Sequence, residues 1–281
     1  MSECTHNCDS CTLNCESKEN NISKFKLGVG SKIKKIIGIV SGKGGVGKSF
    51  VTSLLSSTLQ KKGYKVGILD ADILGPSIPK SFGIIDKEVI ADSNNLMIPK
   101  STRLGIKVMS ANLLLDDETE PIIYRGSLIS GTVEQFYKET NWGELDFLFI
   151  DLPPGTGDVP LTVYQSIPID DVVIVSSPQS LVSMIVEKSI NMATKMNINI
   201  LGIIENMSYV VCPNCNSKFE IYGKSDIEKI ADDNDTIVLA KLPIRYEYAK
   251  MVDEGMVEDI DIEELDNAIK MLSELIKWLS I

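Results

Sequence analysis

An α/β fold with a doubly wound, mostly parallel sheet is the architecture this sequence predicts, and three observations lead there. Apolar, β-branched runs such as "KKIIGIVS" (34–41) and "LDFLFIDLPPG" (145–155) lack the alternation of a half-exposed strand, which marks strands buried on both faces. Segments with apolar residues at helical spacing separate these runs, giving βαβ units. Three of the strands run into Gly- or Asp-bearing turns, so polar chemistry gathers at the carboxyl edge of the sheet, where open α/β sheets bind ligands.

Residues 1–32 are polar and rich in Cys, Asn, Ser and Lys, so a flexible cysteine-rich tail is expected there, with one folded unit over 33–281. The strand at 34–41 leads through a glycine-rich loop into "KSFVTSLLSSTLQKKG", a helix that Gly63 ends. "KVGILDAD" (65–72) is the next strand, and "LMIP" (96–99) and "IKVMSA" (106–111) read as short strands around a turn. "GSLISGTVEQFYKET" (126–140) reads as a helix, and 145–155 as a buried strand ending in a Pro-Gly turn. "DDVVIVSSP" (170–178) and "INILGIIENMS" (198–208) repeat the strand signal with a helix between them. "DTIVLAKLP" (235–243) is the last strand, and 262–281 an amphipathic helix with Leu265, Ile269, Leu272, Ile276 and Leu279 on one face. The other face of that helix carries Asp261, Glu263, Glu264, Asp266 and Glu274 rather than Lys and Arg, so packing on the sheet is expected, not membrane binding.

The composition is that of a globular protein, 43% hydrophobic and 24% charged over 281 residues. A formal net charge of -11 argues against nucleic acid or an anionic membrane as partner. The sequence shows no basic stretch followed by an apolar leader and no apolar run of spanning length, so a cytoplasmic location is expected.

"GKGGVGKS" places Gly42, Gly47, Lys48 and Ser49 in the P-loop pattern between a strand and a helix. Gly42, Lys43, Gly44, Gly45, Val46 and Gly47 can turn backbone N–H groups around phosphate oxygens, and the helix N-terminus adds its dipole. Lys48 is expected on the β- and γ-phosphates and the Ser49 hydroxyl on Mg²⁺. Asp151, at the end of "FLFI", is the expected acidic partner of Mg²⁺, and Gly155 and Gly157 would free the following loop to sense the γ-phosphate. Of Asp70 and Asp72, the latter is expected to orient the attacking water.

Six cysteines fall in two groups. Cys212 and Cys215 form "CPNC", half of a four-ligand site, which two copies of the chain facing across a two-fold axis would complete. On the bare motif a [4Fe–4S] cluster and zinc fit equally. Cys4, Cys8, Cys11 and Cys15 can enclose one centre on their own, with His6 among them as a substitute ligand. Iron–sulfur, zinc and no defined centre all remain open for that run.

"GKGGVGKS" resembles the deviant Walker A motif of the MinD/ParA-like class of P-loop ATPases. Together with "LDADILGPSIP" (69–79), "YRGSLISG" (124–131), "WGELDFLFIDLPPGTGDVPLTV" (142–163) and "ENMSYVVCPNC" (205–215), it makes the chain similar to the Mrp/ApbC family of iron–sulfur cluster carrier ATPases over about residues 34–255. The resemblance implies ATP and Mg²⁺ as ligands, slow hydrolysis, and a homodimer in which Lys43 reaches the partner's phosphates. It implies a [4Fe–4S] cluster bridged by Cys212 and Cys215 and handed to apo iron–sulfur proteins. Asn206 is then expected on the adenine and Pro243 in a loop after the last strand, closing over the base; Arg125 is carried over without a role. The chain departs from the family in having a cysteine tail where many members carry a small α/β domain, in "SSPQSLVSM" (176–184) for a Thr-Pro-Gln motif, and in "IRYEYAK" (244–250), which lacks an acidic position. A positioning switch of the MinD or ParA kind and a zinc-stabilised regulatory ATPase are the alternatives.

Overall fold

Both faces of the central strands are covered, as their unbroken apolar runs require. The computed structural model describes residues 24–73, 75–85, 89–114, 126–179 and 182–278. The strands are β1 (Lys32–Val40), β2 (Val66–Asp70), β3 (Lys100–Ser101), β4 (Lys107–Ser110), β5 (Glu144–Asp151), β6 (Asp171–Ser176), β7 (Asn199–Val211), β8 (Lys218–Phe219) and β9 (Val238–Ile244). The helices are α1 (Lys48–Lys61), α2 (Ile78–Ser81), α3 (Gly126–Lys138), α4 (Asp158–Ser166), α5 (Val182–Lys195), α6 (Ile227–Asp233), α7 (Tyr246–Asp253) and α8 (Asp266–Trp278). The strands form one sheet in the order β3-β4-β2-β5-β1-β6-β7-β8, with β9 also paired to β7. Pairing is parallel except at the two short edge strands, β3 on β4 and β8 on β7.

Alternate residues of each central strand feed opposite layers. Ile36, Val40, Leu148 and Ile150 join α3, α4 and α5 on one face. Ile37, Ile39, Phe147 and Phe149 join α1 and α8 on the other. Within α8, Leu265 just before it and Ile269, Leu272 and Ile276 along it are buried in that second layer, so the helix packs on the sheet as its charge pattern predicts. Leu279 lies outside the described residues. Among the described residues no helix is long and apolar enough to cross a membrane.

Three details differ from the sequence reading. Residues 24–31 are not free chain: Phe25 and Leu27 pack against the core, and the Phe25 N–H donates to the Ser166 carbonyl at 2.7 Å. Two isolated apolar residues were too weak a signal to separate them from the polar tail. "LMIP" makes only single bridges through Met97, to Ala91 and Thr140, because Pro99 follows and removes a ladder donor. Pro243 lies inside β9, opposite Tyr209 of β7, and not in a loop after the strand. A proline is tolerated there because the strand lies at the border of the sheet, where a missing N–H leaves no ladder bond unmade.

Trp142 is fully buried between α3 and the sheet, with its indole N–H donating to the Tyr137 carbonyl at 3.2 Å. Trp142→Ala is expected to lower stability by about 3–5 kcal/mol, read from the urea midpoint at unchanged m-value. A loss under about 1 kcal/mol would mean that this corner of the core is not packed as described.

Candidate functional site

Parallel pairing sets Asp70 of β2 directly beside Asp151 of β5, and Asp151 beside Ile39 of β1. The strand ends therefore meet at the foot of the glycine loop that joins β1 to α1. That loop needs glycine where the backbone enters the left-handed region: Gly45 and Gly47 both have φ of 81°. Gly42 is required for space, since a Cβ there would stand 2.5 Å from the Ile185 carbonyl oxygen. The loop walls a cavity of about 310 Å³ that Gly44, Gly45, Lys48, Ser49 and Asp72 share with Pro154 from the turn after β5.

Asp151, 1% exposed, organises the floor. Its Oδ1 lies 2.8 Å from Lys48 Nζ and accepts from Thr52 Oγ1 at 2.8 Å, while its Oδ2 accepts from Ser49 Oγ at 2.5 Å. Lys48 is itself buried, and its ammonium has no well-aligned hydrogen-bond acceptor among the described residues. A buried cation one contact short at the base of a glycine cradle fits an anionic ligand. The hydroxyl and carboxylate oxygens of Ser49 and Asp151, already side by side, fit a hard divalent cation of the Mg²⁺ type. The turn after β5 is tied to the loop by the Gly155 N–H, which donates to the Ser41 carbonyl at 2.8 Å, with Gly155 at φ 89°.

Of the two aspartates after β2, only Asp72 lines the cavity; Asp70 is sealed beneath it. Asp70 accepts from Ser110 Oγ at 3.0 Å and from the Asp72 N–H at 3.2 Å. Burial, reinforced by the Asp151 charge and opposed by Lys48 and Ser110, pushes its carboxyl up to about 7. Burial also raises Asp72, against the pull of Lys48. Lys43 is exposed and does not line the cavity; its Nζ donates to Gln179 Oε1 of the same chain at 2.9 Å.

A second, more apolar cavity of about 410 Å³ opens beside the first and shares Gly47, Phe50 and Val252 with it. Asn206 and Pro243 both line it, with Tyr222, Arg245 and Tyr248. Asn206 is anchored by its Nδ2, which donates to the Val46 carbonyl at 2.9 Å, and a Cβ on Gly47 would stand 2.2 Å from that nitrogen. Two joined chambers, one cationic with backbone N–H groups and one apolar with aromatic walls, suit a nucleotide's phosphates and base.

Cys212 and Cys215 sit at the tip of the β7–β8 hairpin. The Cys212 N–H donates to the Ser217 carbonyl at 2.9 Å, and the Asn216 N–H donates back to the Cys212 carbonyl at 2.9 Å. Asn216 takes φ of 57°, a left-handed turn that asparagine tolerates. The two thiols are free and reachable, Cys215 the more so. The Ser217 hydroxyl, 3.1 Å from Cys215 Sγ, together with the Ser217 N–H and Cys212, holds the Cys215 thiol below its usual range. Among the described residues no group of three or more metal-ligating side chains forms, so this pair is two ligands and not a closed site. Cys4, Cys8, Cys11 and Cys15, with His6 and Arg125, lie outside the described residues.

Four residues of these sites escaped the sequence reading. Thr52 repeats on α1 one turn after Lys48, a spacing that could have been used. Gln179 and Tyr222 are brought in by loop paths that no local pattern encodes, and Tyr248 by the docking of α7 beside the apolar chamber.

A family model described as NUBPL iron-transfer P-loop NTPase matches residues 32–278. A protein named iron-sulfur cluster carrier protein from Clostridium perfringens is 47% identical over 241 residues, covering 83% of this chain and 84% of its own. One of the same name from Methanococcus maripaludis is 44% identical over 260 residues, covering 90% of each chain. A nucleotide-binding protein from Archaeoglobus fulgidus, solved in complex with ADP, superposes with a TM-score of 0.75 at 44% identity, over 83% of this chain and 91% of that one. The cell division ATPase MinD of Pyrococcus furiosus, at 21% identity and a TM-score of 0.61 over 88% of this chain and 99% of its own, shares the fold.

The raised carboxyl of Asp70 has a signature in stability. Its folded pKa of about 7 lies above the ordinary 3.8, so the native state holds the extra proton between the two. Stability from this group is full below the lower value and is lost as pH rises through the upper one. Asp70→Asn cannot ionise, so the stability of the variant relative to wild type should improve between pH 5 and pH 8 in urea unfolding. A difference independent of pH would show that Asp70 ionises normally.

Proposed function

The chain belongs to the NUBPL family of iron-transfer P-loop NTPases, and from that premise we propose that it is an ATP-driven carrier of iron–sulfur clusters. The observation that carries this reading is the placement of both chemistries on one strand. Within β7, Asn206 is bonded to the phosphate loop, and six residues later the strand delivers Cys212 to the hairpin tip.

In this reading ATP lies with its phosphates in the glycine cradle and its base in the apolar chamber. Gly42, Gly44, Gly45, Val46 and Gly47 supply the loop, Lys48 meets the β- and γ-phosphates, and Asn206 and Pro243 border the base. Ser49 and Asp151 would hold Mg²⁺, which neutralises developing phosphate charge. Asp72, facing the same cavity, orients the water. The water oxygen bonds to the γ-phosphorus as the bond to the β–γ bridging oxygen breaks, leaving ADP and phosphate. Lys43 completes the charge from a second copy of the chain, so turnover by one copy alone is slow.

The cargo is a [4Fe–4S] cluster held by two Cys212/Cys215 pairs across the two-fold axis of a homodimer and passed to apo-proteins. The N-terminal Cys4, Cys8, Cys11 and Cys15 would form a further centre in a cysteine-rich extension. The acidic charge favours protein recipients over nucleic acid or an anionic membrane surface, and the proposed place of transfer is the cytoplasm.

Anaerobic reconstitution with iron and sulfide tests the cargo. Wild type should gain cluster and transfer it to an apo-protein, while Cys212→Ser/Cys215→Ser should lose about four irons per dimer. Wild type binding only zinc, or no metal, would defeat the carrier reading. For the lysine, Lys43→Ala should keep ADP affinity within a few-fold while ATP turnover falls by about 10³-fold or more. Unchanged turnover in steady-state phosphate release would remove Lys43 from the reaction.

A further inference from the structure

The chain that returns from the cysteine hairpin runs along the rim of the base chamber. β8 pairs with β7 through only two residue pairs, Val210 with Phe219 and Val211 with Lys218. The segment then turns over Glu220–Gly223, where the Gly223 N–H donates to the Glu220 carbonyl at 3.2 Å and Gly223 takes φ of 82°. Beyond the turn the chain is fastened again, since Ser225 Oγ bonds the buried carboxylate of Glu205. Between these two anchors stands Tyr222, 45% exposed, lining the base chamber opposite Pro243, Arg245 and Tyr248. Tyr222 also lines a smaller polar cavity of about 90 Å³ on its other side, beside Glu205 and Ser177, so it forms a partition and not a buried core contact.

We propose that Tyr222 is the positioning residue through which an occupied base chamber orders the hairpin bearing Cys212 and Cys215. This deepens the carrier reading and rests on its assignment of the second chamber to a nucleobase. The base supplies the wall that Tyr222 lacks on its chamber side, and an aromatic ring packs on a base in a sequence-tolerant way. Fixing Tyr222 fixes the turn at Glu220–Gly223, and with it the short β8, whose ladder to β7 is two residue pairs, and the Cys212–Ser217 loop. By linkage the effect runs both ways: a hairpin held by its cargo raises nucleotide affinity by the same factor. The consequence for function is that the base, and not the phosphates alone, reports nucleotide occupancy to the cysteines.

Hydrogen exchange of the hairpin amides in the full chain, free of metal, tests this directly. The N–H groups of Cys212, Asn216 and Gly223 are all hydrogen bonded, so their exchange follows local opening. With ADP at about ten times its Kd, exchange over 212–223 should slow by up to about tenfold. Inorganic triphosphate, which fills the cradle without a base, should leave these rates unchanged at equal occupancy. Tyr222→Ala, held at about ten times its own, weaker Kd for ADP, should lose the slowing at equal occupancy, and Tyr222→Phe should restore it. Slowing by triphosphate alone, or slowing that survives in Tyr222→Ala, would overturn the proposal, as would ADP binding with unaltered wild-type rates. Failure of wild type to bind ADP at all would overturn the nucleotide assignment as well, which separates the two failures.

Discussion

Asp151 is a carboxylate with almost no access to water, and the arrangement of the site follows from how its charge is met. An unpaired charge at that depth would cost several kcal/mol, so the first two turns of α1 are bound to it by Lys48, Ser49 and Thr52. Those contacts fix the N-terminus of α1 against the end of β5. With the helix start and the strand ends both fixed, the glycine loop between β1 and α1 is held over the cavity that Gly44, Gly45 and Gly47 line. The same carboxylate acts on its neighbour in the sheet: Asp70, alongside it and deeper, has its pKa raised by burial and by that charge.

β7 transmits this geometry outward. Its register with β9 shifts between Glu205 and Tyr209, where Met207 takes φ of 60°. The irregularity turns Asn206 toward the phosphate loop and still lets the strand continue to the cysteines. Past it, Tyr209 is held by its hydroxyl, which donates to Glu264 at 2.9 Å, and by Lys218 over its ring at 4.4 Å. The base of the hairpin is therefore clamped to the chain just before α8, while the hydrogen bonds of its tip, Cys212 with Ser217 and Asn216 with Cys212, lie within its own turn among the described residues. A stiff base and a lightly held tip are what a site that loads and releases cargo needs.

The parallel sheet was legible because strands buried on both faces leave continuous β-branched runs, and β1, β5, β6 and β7 all carry them. The phosphate loop was legible because its glycines and Lys48 lie next to each other in the chain. Asp151 could be read from its position at a strand end, and its partner Thr52 could have been read from helix spacing. What the sequence hid is set by pairing at long range. That Pro243 stands within β9 depends on its place opposite Tyr209 at the sheet border, and that Asp70 lies sealed beneath the cavity while Asp72 lines it depends on depth. Tyr222 and Gln179 reach the site by irregular chain paths, for which residue type carries no signal.

Each of the two candidate sites is half of something within one chain. The cysteine hairpin offers two thiols where a cluster or a zinc ion takes four, and Lys43 is turned to Gln179 of its own chain instead of into the cavity it would have to serve. In the proposed homodimer a second copy would remove both deficits, since a two-fold axis would bring each hairpin to its own mate and each loop to the other's phosphates. Phe219 on β8 and Ile221 just after it are exposed apolar residues close in sequence to the cysteines, suited to a face that the proposed homodimer would cover. If one association completes both sites, cargo binding and hydrolysis share a single equilibrium, and any ligand that favours the paired state at one site favours it at the other. In the proposed homodimer the interface would thus link the two chemistries between chains, beside the link that Tyr222 is proposed to make within one chain.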